Sequence, residues 1–392
     1  MRDISLVLAK NDAPTQGIYR CGGVCYNAIN FSERLGGIRM SAARKSNFEL
    51  LRILSMLLII AHHFSVHGAF ADTVTTLTVG HVWAQCMEIG GKLGVNIFVL
   101  ISGYFLCTSD RLKIGKVIKL LSQVVLYSVG LYVVTTIISP DLHLTVKSAL
   151  RACFPITYGE WWFASTYFVL FLLSPYLNKL LATLTPAAHR GMLVLLFVCW
   201  SVIPAIFDRS YQSNHLLWFV FLYAVAAYIR KNETAFSLSG KRGLWLTGAA
   251  FLVAFSLVVV FDLLGGDFAK EATRHFEMQQ PMMLAMAVLM FITFKNLSIP
   301  YLPAINFISQ TTFGIYLLHD YDVIRRLLWR DWLAGADHVS SPYFIPYSLL
   351  CVIAVFVMGA LVELLRIYAF ERWWMRLVDR AIDRLSARRA KD

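Results

Sequence analysis

The sequence predicts an all-α fold: a polytopic membrane bundle of about ten transmembrane helices with both termini on the cytoplasmic side. Three observations carry this. The 392 residues are 58% hydrophobic and only 15% charged, and the mean hydropathy is +0.60, far more apolar than a soluble domain of this length. Apolar runs of spanning length recur from Phe48 to Phe370, separated by short polar breaks. Lys and Arg gather in alternate connections, as the positive-inside rule requires of a multi-pass chain.

The runs fall at 48–69, 87–107, 114–138, 160–181, 190–207, 215–230, 243–264, 279–295, 304–320 and 343–369. The sixth and ninth are the shortest. Arg39, Arg44 and Lys45 precede the first run, whereas Gly68 to Gln85 contains neither Lys nor Arg, so the N terminus is expected inside. Arg111, Lys113 and Lys116, then Arg230, Lys231, Lys241 and Arg242, fall on the same side. Arg325, Arg326 and Arg330 dissent, and would cap a short helix or bind an anionic group outside.

Three regions follow. Residues 1–46 read as a poorly ordered tail without the apolar core of a signal peptide, and Met40, just ahead of SAARKSNFELLR, is an expected alternative start. Residues 47–370 form the membrane domain. Residues 371–392 read as a basic amphipathic helix on the anionic inner leaflet, with Trp373, Trp374, Leu377, Val378, Ile382 and Leu385 set among arginines.

The net charge of +12 would suit nucleic acid, but the cations sit in loops and the tail, which is a topological pattern. No nucleic-acid partner is expected. Five of the seven cysteines, Cys86, Cys107, Cys153, Cys199 and Cys351, lie in or beside apolar runs as small core residues. Cys21 and Cys25 form CGGVC without a second Cys or His pair to complete a zinc set, and no metal is predicted. Pro175, Pro204 and Pro281 are positioned to kink runs four, five and eight. Trp161 and Trp162 suit interface anchors, with substrate stacking as the other reading.

The first run, FELLRILSMLLIIAHHFSVHGAF, carries Glu49, Arg52, His62, His63 and His67. A central Arg costs about 2.5 to 3.5 kcal/mol on insertion scales, so such groups call for a function or a partner. Arg52 and His63 fall within about 20° of one another on a helix and roughly 16 Å apart along it. Arg52, near the cytoplasmic end, suits an anionic ligand such as phosphate. His63, in the outer half, suits proton removal from a hydroxyl. Snorkelling of Arg52 and mutual satisfaction of His62 and His63 are the structural alternatives. In run two, GGKLGVNIFVLISGYFLCT, Gly94, Ser102 and Gly103 permit close helix approach, and Asn96 is a candidate for orienting an imidazole or donating to an oxyanion. Run nine, FISQTTFGIYLLHDYDVIRR, offers Thr312 as another oxyanion donor and puts His319 and Asp320 at its outer end.

Arg52 and His63 in run one, GVNIFVLISGYFL in run two and FGIYLLHD in run nine together resemble the acyltransferase-3 family of integral membrane O-acyltransferases, over Asn47 to Phe370. The resemblance implies transfer of an acyl group, commonly acetyl from cytoplasmic acetyl-CoA, to a hydroxyl of an envelope glycan or related lipid-linked acceptor. It implies a multi-pass protein of a bacterial inner or plasma membrane, in contact with membrane lipid. His63 matches the family's essential histidine and Arg52 its paired arginine. The chain departs from the O-antigen acetylase pattern in that WWFASTYFVLFLLSPYLN lacks an internal carboxylate. The arginine-rich approach to run three is replaced by Arg111, Lys113, Lys116 and Lys119, and the three lysines join Arg52 as candidates for coenzyme A phosphates. The competing class is a transporter of a glycan or lipid precursor that uses Arg52, His63 and His319 along an ion pathway.

Overall fold

The computed structural model describes residues 45–70, 78–109, 111–138, 145–207 and 212–389. The readings placed on 1–44, including Met40 and the Cys21–Cys25 pair, lie outside the described residues.

All regular structure among the described residues is helical. The principal helices are α1 (Ser46–His67), α2 (Val79–Met87), α3 (Ile89–Leu106), α4 (Ile114–Ile138), α5 (Trp162–Thr183), α6 (Pro186–Phe197), α7 (His215–Lys231), α8 (Gly240–Leu264), α9 (Pro281–Asn296), α10 (Pro303–Ile308), α11 (Thr312–His319), α12 (Phe344–Arg366) and α13 (Arg372–Arg389). Each expected apolar run is mainly helical, and seven helices or joined helices are long and apolar enough to cross a membrane. The three runs outside that set have physical reasons. α5 carries Ser165, Thr166, Asn178 and Lys179, α7 has only 17 residues, and the ninth run breaks at a single 3₁₀ turn, Ser309–Thr311, between α10 and α11.

Local chemistry sets the boundaries. The Thr78 side chain accepts from His81 N to cap α2, and Asn214 accepts from Leu217 N to cap α7. The second span therefore starts at Val79, earlier than the run at 87 suggests, because α2 continues into α3 with only Glu88 between them. Pro281 stands in the first turn of α9, where its missing N–H breaks no bond, and so initiates the helix. Pro175 does lie inside α5, and Pro204 follows a π-helical turn, Val198–Val202.

α1 and α3 form the most extensive helix pair, with α7 packed on the far side of α3. Glycine permits that closeness. A Cβ on Gly90 would lie 2.2 Å from the Leu58 carbonyl oxygen, and one on Gly94 2.6 Å from that of Ser55, so any side chain there would push the helices apart. These contacts fix an antiparallel register in which Gly91 faces His62. Leu51, Ile60 and Phe64 of α1 and Leu93, Ile97 and Leu100 of α3 are buried in the same apolar core. α8 and the helix containing α6 bury little against protein and present apolar side chains outward, as lipid-facing helices do.

The segment Pro303–His319 runs alongside α1 in the same direction. Ser46 Oγ donates to Asn306 at 3.1 Å and Ser309 Oγ donates to Glu49 at 2.5 Å, while His319 meets His63 at the other end. α11 is held from behind by α12, where Glu363 fills the space a Cβ on Gly314 would take and Ile315 packs on Gly359. Trp161 is buried and packs on Tyr321 with ring centroids 5.7 Å apart, so it is a core residue and not an interface anchor.

Candidate active site

At the His67 end of α1, two helices bring together a chain of ring nitrogens. His319 Nδ1 lies 2.5 Å from the carbonyl oxygen of Ile315, one turn back in α11. A carbonyl only accepts, so that nitrogen carries the proton. His319 Nε2 is therefore the accepting nitrogen, and His63 Nδ1, 2.9 Å away, must donate to it. His63 Nε2 is then left as the lone-pair nitrogen of a neutral ring. It stands 3.9 Å from Asp320 Oδ1, where a carboxylate favours proton uptake by that nitrogen. The His63 side chain is 12% exposed. The arrangement is that of a general base whose tautomer is fixed by a second residue. Here the second residue is a neutral histidine, and the carboxylate sits beside the nitrogen that takes the proton.

Asp320 has a second partner, Arg325, whose NH1 lies 3.3 Å from Oδ1 and whose NH2 lies 2.7 Å from Asp322. The first of the dissenting arginines, Arg325, lies in a short helix, Asp322–Arg326, and is thus tied to the carboxylates just after α11. His62 does something different from its neighbour. Its Nδ1 donates to the Glu88 carbonyl oxygen at 2.9 Å, pinning α1 to the junction between α2 and α3.

Asn96 does not join this group. It is buried, its Nδ2 donates to the Met278 carbonyl at 3.0 Å, and its Oδ1 accepts from Trp218 Nε1 at 3.0 Å. The register of α1 on α3 also sets it near the level of Ser55, some 12 Å along the axis from His63. Asn96 therefore ties α3 to α7 and to the turn ahead of α9 instead of serving the imidazole. Thr312 is likewise committed, donating to the Ser309 carbonyl at 2.9 Å.

A sequence profile described as an acyltransferase domain matches residues 45–363, which includes every element of this site. The chain belongs to the acyltransferase-3 family. Neither a curated protein nor a solved structure matches it. It is a membrane acyltransferase by family and by its apolar helices.

At the Ser46 end, this acyltransferase spends most of its cations internally. Arg52 NH1 pairs with Glu49, one turn away, and the guanidinium stands 6.0 Å from the centroid of the Phe105 ring. The Arg52 side chain is 25% exposed. Lys113 and Lys116 are exposed at the start of α4. Lys119 is not available in the same way, because its ammonium pairs with Glu371, which also accepts from Arg366 NH2 at 2.5 Å. Behind this pair lies a buried carboxylate, Glu363, which accepts from Gln123, Tyr127 and both nitrogens of an Arg366 fork at 2.7 to 2.9 Å.

Two parts of the site were not singled out by sequence. Asp320 gains its role only from the 3.9 Å approach to His63, although its place directly after His319 was a usable signal. Arg230 looked like an ordinary loop charge, yet it stacks 4.8 Å from the Tyr104 ring and pairs with Glu233 beside the aromatic cluster of Phe48 and Phe105.

Proposed function

We propose that this protein moves an acyl group, acetyl in the first instance, from a cytoplasmic acyl-CoA to a hydroxyl of an envelope glycan or lipid-linked glycan in a bacterial inner or plasma membrane. The observation that carries the reading is the His63–His319–Ile315 chain, which gives His63 Nε2 a lone pair next to a carboxylate. Arg52, with Lys113 and Lys116, serves the coenzyme phosphates on the cytoplasmic side, where a guanidinium fork suits phosphate oxygens. Lys119 is left out of that role because it is held by Glu371.

His63 Nε2 takes the proton of the acceptor hydroxyl as its oxygen attacks the thioester carbon. The imidazolium formed is balanced by Asp320 and keeps its Nδ1 proton on His319. Collapse of the tetrahedral intermediate breaks the carbon–sulfur bond, and the departing thiolate recovers the proton from His63 Nε2. Acyl transfer through His63 itself would need the same nitrogen as nucleophile, so a trapped acyl-histidine would replace the base mechanism with a two-step one.

The purified protein with labelled acetyl-CoA and an envelope glycan extract tests the function. Label is expected in the glycan, with free coenzyme A released in equal amount. Saturable movement of an unmodified glycan or lipid precursor across a vesicle membrane, without any use of acetyl-CoA, would instead establish the transporter reading.

A further inference from the structure

We propose that His63, His67 and Asp320 form a binding site for a transition metal ion of the zinc class. The sequence led us to expect no metal, because Cys21 and Cys25 lack a second Cys or His pair to complete a zinc set. The fold assembles a different donor set. His63 and His67 stand one helical turn apart at the end of α1, with ring centroids 5.1 Å apart, and Asp320 reaches them from the end of α11. One ligand atom from each of the three lies within 4.8 Å of the other two. Donors around tetrahedral zinc at about 2.0 to 2.2 Å stand a little over 3 Å apart, so rotamer adjustments of an ångström or so close the set.

A second observation points to the same ligand. Metal-bound histidines almost always donate their other ring N–H to a carbonyl, carboxylate or similar acceptor, which fixes the tautomer and aims the free nitrogen at the ion. His63 already has that arrangement before any ion arrives: its Nδ1–H is held by His319, itself held by the Ile315 carbonyl, and its Nε2 faces Asp320. Two imidazoles and one carboxylate are a zinc donor set that leaves a fourth position open. His67 is partly exposed at the helix end and provides the way in.

The group that opposes an ion is Arg325, which holds Asp320 at 3.3 Å. It has an alternative anchor in Asp322 at 2.7 Å, so an ion can displace it from Asp320 without leaving it unpaired. Arg325 therefore sets the affinity, and its removal should strengthen binding. Because the ion takes the lone pair of His63 Nε2, bound zinc should also slow acyl transfer; that clause alone rests on the function proposed above.

Calorimetric titration of the detergent-purified, chelator-stripped protein with zinc chloride tests the site without any turnover. Wild-type protein is expected to bind one ion with saturation. His67→Ala should weaken binding at least about tenfold, a loss no smaller than that from outer-shell partners. His62→Ala should bind like wild type, and Arg325→Gln should bind more tightly. Asp320→Asn, which keeps the size of the side chain, should weaken binding as His67→Ala does and guards against misfolding of either variant. Absence of saturable binding by wild type, or equal binding by wild type, His67→Ala and Asp320→Asn, would overturn the proposal. Absence of saturable zinc binding by wild type that still transfers acyl groups would reject this site and leave the enzyme reading standing.

Discussion

The two ends of α1 carry similar numbers of polar groups but treat them differently. At the Ser46 end, the charges are largely spent on one another. Arg52 holds Glu49, Lys119 holds Glu371, and Arg366 bridges Glu371 to the buried Glu363. At the His67 end, the bonds run in sequence from Ile315 through His319 to His63 and stop with one nitrogen unprotonated. Charges buried in a helical bundle must be paired, and removing one partner destabilises the fold. A proton-accepting nitrogen kept in a fixed orientation does little for stability and a great deal for chemistry. The contrast separates the scaffold from the reactive group within a single helix.

The comparison can be broken most severely at Glu363. Replacing it with Ala leaves Arg366 with Glu371 alone and takes the buried acceptor from Gln123, Tyr127 and Arg366 Nε, and removing one partner of a buried pair costs about 3–5 kcal/mol. Thermal or chemical unfolding in detergent should show that loss, whereas His319→Ala should leave unfolding much less affected. His319→Ala should instead lower kcat by roughly a hundredfold, or about 2.7 kcal/mol of barrier, with little change in KM for the acyl donor. An equal fall in stability and activity for both variants would erase the distinction between the two ends.

A smaller effect is expected at Arg52. Its loss removes a charge-assisted hydrogen bond of about 1.5–3 kcal/mol, so Arg52→Ala should raise KM for acetyl-CoA while kcat holds. A drop in kcat alone, with donor KM unaltered, would move Arg52 from donor binding to the fold. The smallest effect concerns Glu233 in the connection after α7. The Tyr104 hydroxyl and Arg230 hold its carboxyl below the ordinary glutamate range. Its contribution to stability is thus complete above the unfolded-state pKa and is lost as pH falls through the lower folded-state value. Acid unfolding of Tyr104→Phe should start at slightly higher pH than that of wild type, and coincident curves would show that this bond does not shift Glu233.

Much of this was legible in the sequence where the signal was local. The apolar runs foretold helices at every expected place, and the spacing of Arg52 and His63 put both on the side of α1 that meets Pro303–His319. Arg52 reaches that segment through Glu49 and Ser309, while His63 meets His319 directly. What escaped was set by partners far away in the chain. Asn96 looked free until Trp218 and Met278 closed on its amide, and Lys119 looked like a phosphate ligand until Glu371 folded back onto it. His62 and His63 are adjacent and chemically identical, so only the Glu88 carbonyl on one side and His319 on the other assign them different tasks. Helix boundaries moved for a similar reason: the Thr78 cap extends the second span toward the N terminus, and the turn at Ser309–Thr311 divides the ninth.

The central claim is that His63, and not its neighbour, removes the acceptor proton. Initial rates of transfer from labelled acetyl-CoA to envelope glycan, measured for purified His63→Ala and His62→Ala beside wild type, test it most directly. Removal of a positioned base should reduce the rate of His63→Ala by about 10² to 10⁴-fold, with His62→Ala keeping most activity apart from any loss of stability. Undiminished transfer by well-folded His63→Ala, or an active His63→Ala beside an inactive His62→Ala, would contradict the assignment.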